Sequence, residues 1–168
     1  MADALPSSLP GGFPGGLPGG LSGVLPGAVL FCCTQNAIRS PMAAAILKQL
    51  HGQRIFIDSV GVRAGELDGF AVEAMDEIGL DIAKHKPRTF DDLEDSSFDL
   101  IISLSPEAQH KAVEMTRTMA CEVEFWNTFD PSVIEGSREQ RLEAYREVRD
   151  GLMRRIRERF PILGAPKI

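Results

Sequence analysis

Cys33 and Arg39 are separated by five residues in Cys-Thr-Gln-Asn-Ala-Ile-Arg-Ser, a spacing with a physical logic for a tetrahedral oxyanion. A short loop between a strand end and a helix N-terminus turns successive backbone N–H groups inward, and the helix dipole adds to their pull on an anion. Thr34, Gln35, Asn36, Ala37, Ile38, Arg39 and Ser40 would then line a phosphate cradle. Arg39 supplies a planar fork to two oxygens, which a lysine could not match. The same field favours a thiolate at Cys33, beneath the phosphorus and placed for in-line attack. Cys-x5-Arg alone is a weak signal, so its position decides. It follows an apolar strand, runs into Ser-Pro, and is joined far downstream by Asp130-Pro131 in a long irregular stretch. An ordinary turn is one reading of Asp-Pro. Joined to the loop, it reads as the general acid that protonates a leaving alkoxide.

The elements that must position these residues alternate along the chain. AVLFCC, from Ala28, is a short apolar run suited to a buried parallel strand. SPMAAAILKQLH reads as a helix with Ser40 as N-cap and Pro41 at its first position. RIFIDSV predicts a second strand, GFAVEAMDEIGL a helix stopping near Gly79, and FDLIISL a third strand. SPEAQHKAVEMT predicts a helix opened by Ser105 and Pro106, and CEVEFW a fourth, shorter strand. SREQRLEAYREVRDGLMRRIRERF is a long amphipathic closing helix, with Leu142, Tyr145, Val148, Leu152 and Ile156 as its apolar stripe. The pattern predicts a three-layer α/β/α fold with a small, about four-stranded parallel sheet. Ligands of such sheets sit outside the carboxyl ends of the strands, where the loop after the first strand lies.

The chain has 168 residues, 43% hydrophobic and 25% charged, ordinary values for one globular domain. Residues 1–26, an imperfect Leu-Pro-Gly-Gly repeat, read as a flexible tail, and 27–168 as the catalytic domain. The first segment has neither the basic start nor the unbroken apolar core of a signal peptide or membrane span. A net charge of −6 argues against a nucleic-acid footprint. Two adjacent cysteines and one distant one do not make a disulfide framework, and a reducing cytoplasm is the expected setting. Strand alternation turns Cys32 away from its neighbour into the core, and Cys121 reads as structural. No spacing of His, Cys, Asp or Glu suggests a metal site, and no organic cofactor is expected.

VLFCCTQNAIRSPMAAAIL resembles the phosphate-binding loop of the low-molecular-weight protein tyrosine phosphatases. The likeness runs from about residue 28 to 160, through SVG, IGLDIAKHKPR, FDLIISL and DPSVIEGSREQ. It implies Cys33 as nucleophile, Arg39 as phosphate clamp, Ser40 as the serine beside the thiolate, and Asp130 as general acid. It also implies that Asn36 holds a strained loop backbone, that His85 supports Asn36, and that Ser59 joins their network. Three positions depart from the pattern. Gln35 stands where the family has glycine, and its bulk could distort the cradle. Ile38 replaces the second loop cysteine, removing the partner for a protective disulfide, and Ser132 and Val133 replace the aromatic pair after Asp-Pro. The implied activity is phosphomonoester hydrolysis through a phosphocysteine, with phosphotyrosine in a protein the first expectation and phosphoarginine or a small phosphate ester the alternatives. Two rivals share the fold: an arsenate reductase, which needs further thiols that residues 80–100 lack, and a non-catalytic phosphate-binding module.

Overall fold

The computed structural model describes residues 25–94 and 97–162; the Pro/Gly-rich repeat of residues 1–24 lies outside them. Four parallel strands, β1 (Ala28–Cys33), β2 (Phe56–Gly61), β3 (Leu100–Ser103) and β4 (Glu122–Phe125), are arranged in the order β2-β1-β3-β4. The helices are α1 (Arg39–His51), α2 (Gly69–Asp76), α3 (Pro106–Met115) and α4 (Arg138–Arg159). All of β1 is buried, as its uninterrupted apolar run requires of a central strand. β4 is a short edge strand carrying Glu122 and Glu124, charges that discourage pairing with another chain. From β1 the chain moves outward to β2, then crosses back to β3 on the other side. The carboxyl end of β1 is therefore the switch point where α/β sheets bind ligands, and Cys33 ends that strand.

The two faces of the sheet have separate cores. Leu30, Cys32, Val60 and Ile101 pack with Ala108 and Ala112 of α3 and with Phe90 and Phe98. The face carrying Phe31 meets Trp126 edge-on and is covered by α1, on which α4 packs in turn. All five residues of the expected α4 stripe are buried. α2 ends at Asp76, earlier than the sequence pattern predicts, because the chain turns out through Gly79 at φ +79°.

Ser40 departs from its expected place. α1 begins at Arg39 with Ile38 as N-cap, and no side chain caps it. Ser40 is already helical, and its hydroxyl turns back to Cys33 instead. An N-terminus without a side-chain cap leaves backbone donors for something other than protein, as an anion site requires.

Candidate active site

From Cys33 to Ile38, every carbonyl of the loop is held from outside. Cys33, Thr34 and Gln35 accept from the N–H groups of Val62, Arg63 and Gly65, at 3.0, 2.8 and 2.9 Å. Ala37 accepts from Asp68 N–H at 3.3 Å, Ile38 from Met42 N–H at 3.1 Å, and Asn36 faces His85 Nε2 at 3.1 Å. With the acceptors drawn outward, the amides are left for the inner side, and Asn36 N–H points at Cys33 Sγ, 3.3 Å away. Gly61 makes this approach possible. A Cβ there would lie 2.7 Å from Asn36 N and 2.8 Å from the Gln35 carbonyl carbon. Gly65 does the same for the Gln35 side chain, whose Oε1 would meet a Cβ at 2.5 Å. Gln35 is exposed and lies over Gly65, so its bulk does not fill the cradle.

Asn36 sits at φ +57°, the left-handed region, and is fully buried. That backbone costs a non-glycine residue about 1–2 kcal/mol. Its side chain donates to Ser40 Oγ (2.8 Å) and Ser59 Oγ (3.0 Å) and accepts from Arg88 N–H (2.9 Å), with His85 Nε2 at 3.0 Å. At about 0.5–1.5 kcal/mol each, these bonds outweigh the backbone strain. The two acceptors around His85 Nε2 place the ring proton there. Burial holds the His85 pKa below the ordinary histidine value, with Arg88 and Lys48 adding to the depression and the Asn36 bond opposing it. Arg88 is fixed in turn by an ion pair with Asp58. Asn36, Ser40, Ser59 and His85 are thus brought together, and Arg88, Gly61 and Gly65 join them without a sequence signal having singled them out.

Arg39 is buried at the loop's end, donating to the Thr128 carbonyl at 2.9 Å, with Thr34 Oγ1 at 3.5 Å. Thr128 belongs to the segment that leads to Asp130, so one guanidinium ties the cradle to the acid's loop. Asp130 caps a 3-10 turn, Pro131–Val133. Its Oδ1 accepts from Ser132 N–H (3.0 Å) and Ser132 Oγ (2.7 Å), while Oδ2 has no protein partner among the described residues. Ser132, one of the two positions where the resemblance expects an aromatic residue, orients the carboxylate. Val133 points outward, 61% exposed.

Two further groups border the cradle. Asp68, whose N–H holds Ala37, caps α2 through Phe70 and Ala71 N–H and accepts from Tyr145 Oη at 2.8 Å. On the Thr34 side, Ser105 Oγ lies 3.0 Å from Thr34 Oγ1, and Arg63 pairs with Glu107 at 3.2 Å. The Arg63 guanidinium holds the Glu107 carboxyl below the usual carboxylate range.

Cys33 Sγ is buried and lies 2.9 Å from Ser40 Oγ. The neighbouring Cys32 faces α3, 3.8 Å from the Ile102 carbonyl oxygen, and burial pushes its thiol well above the ordinary range, with Cys33 adding to the effect. Cys121 packs against the same α3-side cluster. Among the described residues no group of His, Cys, Asp or Glu could hold a metal ion, and no helix is long and apolar enough to cross a membrane.

A parallel α/β sheet has its switch-point strand ending in a cysteine, set under outward-held carbonyls and closed by a buried arginine, the arrangement an oxyanion site with a thiol at its base would need. The chain belongs to the low molecular weight phosphotyrosine protein phosphatase family, which it matches over residues 28–161. It is 32% identical to the arsenate reductase of Bacillus subtilis (strain 168) over 130 residues, covering 77% of this chain and 92% of that one. The tyrosine phosphatase AmsI of Erwinia amylovora shares the fold at TM-score 0.67 and 18% identity, over 86% of this chain and 97% of that one. An arsenate reductase in its oxidized state superposes at TM-score 0.66 and 26% identity, over 79% and 95% of the two chains.

Proposed function

We propose that this chain hydrolyses phosphomonoesters, phosphotyrosine in proteins being the leading substrate, by way of a phosphocysteine. The observation that carries the reading is the loop itself: a cysteine sulfur facing an amide and a hydroxyl, with the surrounding carbonyls held outside. The Cys33 thiolate attacks phosphorus as the ester P–O bond breaks, while Arg39 and the loop amides hold the equatorial oxygens. Asp130, protonated and oriented by Ser132, gives its proton to the leaving oxygen. The resulting carboxylate then takes a proton from water, whose oxygen displaces sulfur and releases inorganic phosphate. Ser40 Oγ and Asn36 N–H stabilise the thiolate that attacks in the first step and departs in the second. No metal or organic cofactor enters the scheme, and the cytoplasm is the compartment that suits a free thiol. Purified protein should turn over an aryl phosphate and, when quenched in acid, carry a phosphoryl group on Cys33. Comparable turnover by Cys33→Ser would refute the mechanism.

Similarity to named arsenate reductases supports a second reading. Reducing arsenate to arsenite takes two electrons, which two thiols supply as they become a disulfide. Cys32 and Cys121 both pack on the opposite, α3-side core, so an internal relay from Cys33 has no second thiol in reach among the described residues. An external thiol would have to complete the reaction. Arsenate-dependent oxidation of reduced thioredoxin or glutathione, faster than aryl phosphate turnover, would favour this reading over hydrolysis. A binder without catalysis would give no burst of aryl alcohol.

A further inference from the structure

The rim of the cradle is electrostatically lopsided. On the Thr34 side, Arg63 is taken up by Glu107, so that wall presents a neutralised pair. On the Ala37 side, Asp68 links the loop to Tyr145, and Phe70 packs on the Tyr145 ring with centroids 5.3 Å apart. The Arg141 guanidinium lies 4.8 Å over the Phe70 ring. Its neighbour Arg138 is also near that ring but is paired with Glu73. Arg141 is exposed, and no carboxylate among the described residues pairs with it. Asp68, which links the loop to this corner, is engaged by Tyr145 and the α2 amides.

A guanidinium braced on an aromatic face, its edge free to solvent, is preorganised to receive a carboxylate through two parallel N–H donors. Resting on the phosphatase reading above, we infer that Arg141 on its Phe70 platform is a subsite for an acidic residue flanking the phosphorylated residue of a protein substrate. Because the opposite wall is neutralised, the preference is one-sided: an acidic residue is favoured either before or after the phosphoresidue, not equally in both places.

The test uses the full chain carrying Cys33→Ser, which binds without turnover, and phosphotyrosine peptides with glutamate before, after or on neither side of the phosphoresidue. Affinities are read by fluorescence anisotropy. One of the two acidic peptides should bind about threefold to fivefold tighter than the neutral one, the range for an exposed ion pair, and the gain should fade as salt is raised. Adding Arg141→Gln should abolish the gain, and Arg141→Lys should keep part of it. Equal gains from both acidic peptides, no gain from either, or a gain that survives Arg141→Gln would overturn the subsite. Hydrolysis of an aryl phosphate by the unaltered chain is measured in parallel. Its absence, with a one-sided and Arg141-dependent preference, would sink the hydrolytic reading and leave the subsite standing.

Discussion

At the scale of single residues, acid and clamp have separable signatures. Asp130→Asn removes the proton donor but leaves the cradle, so single-turnover cleavage of an ester with a poor leaving group should fall about 100-fold or more. Nitrophenyl phosphate, whose leaving group departs unaided, should lose far less in that step. Arg39→Lys should damage both alike, since the equatorial oxygens are present whatever departs. Equal losses on the two esters would remove Asp130 from the acid role. Asn36 offers a second contrast. Asn36→Gly loses the side-chain bonds but tolerates φ +57°, whereas Asn36→Ala loses the bonds and keeps the strain. The alanine variant should be less stable in urea by about 1 kcal/mol relative to glycine, and the reverse order would mean that the strain is not felt. The cysteines should also separate under oxidant. Peroxide should inactivate through Cys33, and loss beyond the sulfenic acid should not recover in mild thiol, because Cys32 Sγ points to the other face. A Cys33–Cys32 or Cys33–Cys121 disulfide in a peptide map would contradict this.

At the scale of elements, the site depends on how α2 and α4 are clamped. Glu77, just beyond α2, bonds to Arg146 (2.7 Å) and Arg149 (2.8 Å) of α4. The Arg146 bond, then the Arg149 bond, lowers its pKa to about 2. A carboxyl depressed in the folded state binds fewer protons there than when unfolded, so its contribution is present above the unfolded value near 4.5 and is lost as pH falls towards 2. Glu77→Gln should therefore lower the urea midpoint at pH 7, and the difference from the unaltered chain should shrink by pH 3. A constant difference across that range would indicate packing instead of charge. Much of this scale was legible in advance: four strands, four helices and the α4 stripe follow from apolar runs and periodicity. The start of α1 was not. Ser-Pro is a good cap signal by local propensity, but the loop takes its geometry from contacts to residues 61–68 and from Asn36. The helix consequently begins one residue before Ser40.

At the scale of the whole molecule, residues 26–162 form a compact unit with cores on both faces of the sheet. Deleting residues 2–24 should leave aryl phosphate turnover within about twofold and the urea midpoint nearly unchanged, because a Pro/Gly repeat offers little apolar area to bury. A loss of several kcal/mol would show that the tail packs on the domain.

Sequence alone determined the placement of Cys33 at a strand end and of Asp130 in an irregular stretch, because apolar runs, periodicity and helix formers are local properties, while Arg39 proved to open α1 instead of closing the loop before it. It also predicted that Cys32 and Cys33 face opposite ways, since strand side chains alternate. What surrounds these residues was decided only in three dimensions. The partners of Asn36 stand four, twenty-three, forty-nine and fifty-two residues along the chain, and the Thr128 carbonyl eighty-nine residues from Arg39. No local signal links such positions. His85 came through family resemblance; Gly61 and Arg88 lay inside matched segments and Tyr145 in the α4 stripe, but none was given its role there, because those roles rest on close approach and hydrogen-bond direction. The side of the loop that its carbonyls face, and hence the room left for an anion, is set by the packing of the segment after β2 against it.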